Sequence, residues 1–238
     1  MKAMILAAGR GERMRPLTDH TPKPLLRAAG KPLIEYTLEN LAAAGFCQIV
    51  INIAHLGAQI KDYCGSGARW GLSIAYSDEG ETALETAGGI AKALPLLGDA
   101  PFLAVNADIV CDFPLRELRE VTPDLAHLVM IDNPPHHPEG DFALAGSGLL
   151  AAHGETKLTF SGIGVYRPEL FEGIPVAPLK LRPVLDRAIR NQRIGGQKHS
   201  GLWLDIGTPD RLAEFGNLIA CGSGAASVWA GRSAVKTA

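Results

Sequence analysis

The stretch Ala3-Met-Ile-Leu-Ala-Ala-Gly-Arg-Gly11 decides the fold. Six apolar residues in unbroken succession, closed by Gly9, are what a parallel strand covered on both faces requires. Outward from this run the pattern alternates. Pro32 opens a helix whose apolar stripe, Leu33, Tyr36, Leu41 and Ala44, stops at Gly45. Gln48–Ile53 reads as a strand, His55–Cys64 as a short helix and Leu72–Ser77 as a third strand. Leu84–Leu97 reads as a helix with Pro95 fraying its end, and Phe102–Asn106 as a strand running into Ala107-Asp108. Strands separated by helices of this length predict βαβ units with right-handed crossovers. The expected architecture is a doubly wound α/β sheet with its ligand at the carboxyl ends of the strands.

Beyond about residue 114 the alternation loosens. Strands are expected at Asp124–Asp132, Phe142–Ala145 and Lys157–Tyr166, separated by a Pro/His-rich loop, Asn133–Asp141, rather than by long helices. The sheet should therefore be mixed, though mainly parallel. Leu179–Arg190 and Pro209–Ile219 read as helices, the second with Thr208 as its N-cap and Pro209 at its first position. One domain is expected over residues 1–220. Residues 221–238, rich in Gly, Ser and Ala without periodicity, are expected to be a disordered tail or an expression remnant.

Composition narrows the function. With 238 residues, 47% of them hydrophobic and 20% charged, the chain is no disordered tail, collagen or coiled coil. No apolar run approaches the ~18–20 residues of a membrane span, and the first run is shorter than a signal-peptide core. A cytoplasmic monomer without membrane partners is expected. Cys47, Cys64, Cys111 and Cys221 show no C-x-x-C spacing and predict neither zinc nor a disulfide framework. The histidines, including His136-His137, show no ligand spacing, and Trp70, Trp203 and Trp229 lack the interleaved basic residues of a nucleic-acid platform. The net charge of −2 gives no global attraction to nucleic acid. Yet residues 1–32 hold Lys2, Arg10, Arg13, Arg15, Lys23, Arg27 and Lys31 against only Glu12 and Asp19. A basic first segment on an acidic body predicts one concentrated anion site.

Three stretches carry chemistry. The first is Leu6-Ala-Ala-Gly-Arg-Gly-Glu-Arg-Met-Arg-Pro-Leu-Thr18, followed by Thr21-Pro-Lys-Pro-Leu25. A glycine loop after a buried strand lets backbone N–H groups converge on phosphate oxygens. Three arginines and a proline-flanked lysine strengthen that reading. A dinucleotide fingerprint would need a third glycine where Met14 stands, and a P-loop would need Gly-Lys-Ser/Thr. The second is Asn106-Ala107-Asp108, which sets a carboxylate at a strand's end. The third is Trp203-Leu-Asp-Ile-Gly-Thr-Pro209, which brings another, Asp205. One or two carboxylates plus phosphates are a typical Mg²⁺ donor set.

Together these motifs resemble the signature of the sugar-1-phosphate nucleotidyltransferases over roughly residues 1–220. The resemblance implies the nucleotide-diphospho-sugar transferase fold and attack by a sugar phosphate on a nucleoside triphosphate. It implies Mg²⁺ held by Asp108 and Asp205, with Arg13, Lys23 and Asp108 catalytic. Ala8, Gly9, Gly11, Glu12, Arg13, Lys23 and Ala107 would bind the nucleotide. Glu85-Thr-Ala-Gly-Gly89 is similar to the family's base-recognition segment, so backbone groups of Thr86, Ala87 and Gly88 would read the base. Asn106, Gly140, Asp141, Glu155 and Lys157 would hold the sugar. Glu155 and Lys157 would share a face if one strand contains both. Pro138-Glu-Gly-Asp-Phe142, Phe160-Ser-Gly-Ile-Gly164 and Lys180-Leu-Arg-Pro183 are most similar to the short bacterial uridylyltransferases acting on N-acetylmuramate 1-phosphate in cell-wall recycling. Mannose-1-phosphate guanylyltransferases carry similar segments. The rival classes are a dinucleotide-dependent dehydrogenase and a non-catalytic sugar-nucleotide-binding regulator.

Overall fold

The structure, a computed structural model, describes residues 1–221; the expected tail beyond Cys221, with Trp229, lies outside the described residues. The chain begins with β1 (Lys2–Leu6), a small ribbon of β2 (Arg27–Ala28) and β3 (Lys31–Pro32), then α1 (Leu33–Ala43). There follow β4 (Gln48–Ile53), α2 (Gly57–Cys64), β5 (Ser73–Asp78), α3 (Glu85–Leu97), β6 (Phe102–Asn106) and β7 (Ile109–Cys111). The second half contains β8 (Ala126–Ile131), β9 (Phe142–Leu144), β10 (Leu150–Ala151) and β11 (Lys157–Tyr166). It ends with α4 (Leu181–Arg190), β12 (Ile194–His199), β13 (Trp203–Asp205) and α5 (Pro209–Ala220).

The central sheet runs β10-β9-β11-β6-β1-β4-β5, with β8 also on β11 and β12 on β8. β6, β1, β4 and β5 are parallel to one another, whereas β11 runs antiparallel to β6, β8 and β9. This is the mixed, doubly wound sheet expected, in one domain. The alternation along β1 explains its unbroken apolar run. Ala3 and Ile5 pack with Ile34, Leu38 and Leu41 of α1 and Ile60 of α2. Met4, between them, packs on the opposite face with Ile90 and Leu97 of α3 and Leu185 of α4. Neither face meets water, so no polar position is tolerated. Burying a side chain such as Ile5 stabilises the fold by ~1.5–3 kcal/mol.

Several local differences from the expected pattern have plain causes. β1 stops at Leu6 rather than Ala8 because the Ala7 N–H leaves the ladder for the Asn52 side chain, 2.7 Å away. Pro95 lies inside α3, which continues to Leu97. The strand β12, parallel to β8, escapes a hydrophobic reading because it carries Gly195 and Gly196. A Cβ on Gly196 would sit 3.0 Å from the Leu128 carbonyl, so close strand approach, not an apolar pattern, defines it. The ribbon of β7 and β13 is three residues long on each side, too short for periodicity to show. Thr208 caps α5 as expected, its side chain accepting from the Arg211 N–H. Among the described residues, no helix is long and apolar enough to cross a membrane.

Candidate active site

The parallel register aligns Leu6 with Asn52 on one side and Asn106 on the other, so the ends of β1, β4 and β6 share one rim. A buried polar network locks that rim. Asn52 Oδ1 accepts from Ala7 N–H, and Asn52 Nδ2 donates to Glu79 Oε1 at 2.7 Å. The other Glu79 oxygen accepts from Leu84 N–H at 2.6 Å. One amide and one carboxylate, both buried, thus join three strand ends to the entry of α3. Satisfied on all sides, such a network rigidifies what it connects. Sequence reading missed both residues. The available signal was a polar residue closing an otherwise apolar strand.

From Ala7 the chain turns into the glycine loop. Gly11 has φ +65°, and a Cβ there would meet Lys23 Cβ at 3.0 Å and Thr18 Cγ2 at 3.1 Å. The Gly11 carbonyl accepts from Thr18 Oγ1 and from Met14 N–H, closing a short 3₁₀ turn, Glu12–Met14. Among the described residues, none accepts from the N–H groups of Ala8, Gly9, Arg10, Gly11 or Glu12. Those donors face a cleft of about 820 Å³ that Arg10, Arg13, Lys23, Asn106, Ala107 and Asp108 also line. Unspent N–H groups beside cations make an anion site. Arg15 does not contribute. It is exposed and pairs with Asp19 at 3.0 Å.

Lys23 starts a second 3₁₀ turn, Lys23–Leu25, between Pro22 and Pro24. Its ammonium, 9% exposed as a residue, contacts Asp108 Oδ2 across the cleft. Asp108 lies in the turn between β6 and β7, and its carbonyl accepts from Ile206 N–H at 2.8 Å. That bond, with the pairing of Asp205 and Ile109, brings the two aspartates to adjacent backbone positions. Asp205 Oδ1 is held by Arg211 and by His136, the latter at 3.1 Å. A Cβ on Gly207, which lines the cleft, would lie 3.2 Å from both Asp205 Oδ2 and an Arg13 guanidinium nitrogen. Asp205 itself does not line that cleft; it borders a neighbouring pocket with His136 and Arg211. Two hard carboxylates on adjacent backbone positions, near a loop with free N–H donors, are a donor set that fits Mg²⁺.

The expected base-recognition segment is used differently. Ala87 and Gly88 N–H groups both donate to the Leu179 carbonyl, at 2.9 and 3.3 Å. A Cβ on Gly88 would approach the Ala177 carbonyl to 2.0 Å. These two residues thus pack α3 against the chain before α4, and their donors are not free to read a base. Thr86 does line the cleft, together with Glu85 of the same segment and with Glu79, Glu81, Thr82 and Ala83, which sequence reading did not single out.

A second cavity of about 310 Å³ adjoins the cleft, sharing Leu6, Glu85, Thr86 and Asn106 with it. Asp141 lines it, accepting from Phe160 N–H at 2.9 Å and from Arg182 at 3.3 Å. Gly162, at φ +81°, lies where β11 shifts register against β8; a Cβ there would stand 2.6 Å from Asn106 Nδ2. Gly140 lies outside this lining, in a turn where a Cβ would strike Asn133. β11 begins at Lys157, so exposed Glu155 precedes it and the two do not share a strand face. Neither lines either cavity.

Comparison with known proteins places this geometry. The family model for nucleotidyl transferases matches residues 2–158. An N-acetylmuramate alpha-1-phosphate uridylyltransferase of Neisseria meningitidis is 55% identical over 222 residues, covering 90% of this chain and 96% of that one. Its namesake from Caulobacter vibrioides is 33% identical over 234 residues, covering 89% and 97%. The crystal structure of a Bacillus anthracis protein assigned as a glucose-1-phosphate thymidylyltransferase superposes with a TM-score of 0.80 at 21% identity, covering 94% and 96%. At that identity the likeness is one of fold.

Proposed function

The chain belongs to the nucleotidyl transferase family, and from that premise we propose that it transfers the uridylyl group of UTP to N-acetyl-α-muramate 1-phosphate. The products are UDP-N-acetylmuramate and pyrophosphate. The observation that carries this reading is the 55% identity, over nearly the whole of both chains, to the Neisseria enzyme named for that reaction.

A phosphate oxygen of the sugar phosphate attacks the α-phosphorus of UTP. The bond from α-phosphorus to the bridging oxygen breaks, and pyrophosphate leaves with the electron pair. The nucleophile is already ionised at neutral pH, so no general base is required. What the protein supplies is placement and compensation of charge. The free N–H groups of Gly9 to Gly11 and the Arg13 guanidinium hold the departing pyrophosphate. Lys23, kept in place by Asp108 and its flanking prolines, reaches the α-phosphoryl group or the incoming phosphate. Asp108 and Asp205 would hold Mg²⁺, which when bound offsets repulsion between the two phosphate-bearing reactants. Thr86 and the Thr82–Ala83 wall border the base, and Asn106 and Asp141 border the sugar.

The unit that does this is residues 1–220, acting as a monomer in the cytoplasm within cell-wall recycling. The test is pyrophosphate release from UTP, Mg²⁺ and a panel of sugar 1-phosphates. N-acetylmuramate 1-phosphate should give the highest kcat/KM. A higher value for mannose or glucose 1-phosphate with any nucleotide overturns the substrate and leaves the class standing.

A further inference from the structure

N-acetylmuramate differs from N-acetylglucosamine by a lactyl ether on C3, which brings a methyl group and an ionised carboxylate. An isolated carboxylate is costly to bury and must meet either water or a cation. The reacting phosphate on C1 belongs at Lys23 and Asp108, so the pyranose extends into the adjoining cavity past Asn106 and Thr86. That cavity has two cationic side chains, Lys180 and Arg182.

The two cations are not equivalent. Arg182 donates to Asp186 at 2.8 Å and to Asp141 at 3.3 Å, and its guanidinium lies 4.4 Å from the Phe142 ring centroid. Its charge is already compensated, and its plane is fixed. The Lys180 side chain makes no hydrogen bond or ion pair among the described residues. It stands directly before α4, next to Leu181, which with Leu185 gives the cavity an apolar wall. An uncompensated ammonium beside a leucine surface matches a substituent that carries a carboxylate and a methyl on one carbon. Lys157, in a sugar-binding segment of the sequence, and Arg27, of the basic first segment, line neither cavity.

Resting on the substrate reading above, we propose that Lys180 is the residue that selects the lactyl carboxylate. Arg182 acts as a positioning residue, holding Asp141 and Phe142 where they border the sugar. Because Lys180 is exposed, its contribution is one of discrimination by several-fold, not by orders of magnitude.

The experiment compares kcat/KM for N-acetylmuramate 1-phosphate and N-acetylglucosamine 1-phosphate, each with UTP, in the wild-type chain and in Lys180→Met and Lys180→Arg. In Lys180→Met the ratio of the two values should fall about fivefold, mainly through KM of the muramate substrate, and Lys180→Arg should restore it. Added salt should erode the wild-type ratio and leave that of Lys180→Met unmoved. A ratio equal to wild type in Lys180→Met, or an equal loss with both substrates, overturns the role of Lys180. A wild-type chain that does not turn over the muramate substrate overturns the substrate reading itself, and the role of Lys180 with it.

Discussion

The Lys23 ammonium rests on Oδ2 of Asp108, a residue 85 positions further along the chain. The contact joins the loop that follows β1 to the turn that follows β6, across the cleft. Asp108→Asn keeps the shape and an acceptor oxygen for Lys23 but removes the charge. Turnover should fall by at least ~10²-fold, because in the proposed mechanism metal binding and the orientation of Lys23 both depend on that charge. The thermal midpoint should fall by only a few degrees, about 2–4 °C for each kcal/mol lost in a chain of this size. Near-normal pyrophosphate release in this variant would place the metal elsewhere.

Arg13 and Arg15 are two residues apart and face different surroundings. Arg13→Ala should weaken UTP binding by about tenfold to a hundredfold, the worth of a charge-assisted contact to pyrophosphate oxygens. Arg15→Ala removes only an exposed pair with Asp19 and should leave UTP affinity unchanged. Titration calorimetry separates them, and equal effects would dissolve the assignment of Arg13.

Asn52→Ala strips the partner from Ala7 N–H and one partner from Glu79. Two buried polar groups left unsatisfied cost about 2–4 kcal/mol, lowering the thermal midpoint by roughly 5–15 °C. UTP affinity should fall as well, because Ala7 anchors the loop proposed to hold the phosphates. A variant as stable as wild type would mean that the network contributes little to the fold.

Burial pushes the Cys64 thiol up to about 11 and the Cys111 thiol up to about 12. At pH 8 their thiolate fractions lie about a hundredfold or more below those of ordinary cysteines. Cys47 and Cys221 are exposed. A disulfide reagent at pH 8 should therefore modify Cys47 and Cys221 in the folded chain, with Cys64 and Cys111 following only in denaturant. Rapid labelling of Cys111 in the folded protein, read by peptide mass, would contradict its burial.

What could be read from the chain was local. An unbroken apolar run means two covered faces, a 3.6-residue stripe means a helix, and a glycine loop after a buried strand means donors free for an anion. From such signals come the doubly wound sheet, Thr208 as a cap, and Arg13, Lys23, Asp108 and Asp205 as residues to watch; the first three line one cleft, and Asp205 lies on the backbone beside Asp108. Which donors are already spent was not local. The Ala87 and Gly88 amides look available in sequence, but the Leu179 carbonyl, on a distant segment, takes both. Glu155 and Lys157 look paired, yet β11 starts only at the second of them. Asn52 and Glu79 look like ordinary strand-end residues until β1, β4 and α3 converge on them. Hydrophobic periodicity is a property of neighbours in the chain and survives in one dimension. Hydrogen-bond satisfaction belongs to neighbours in space, and only packing chooses those.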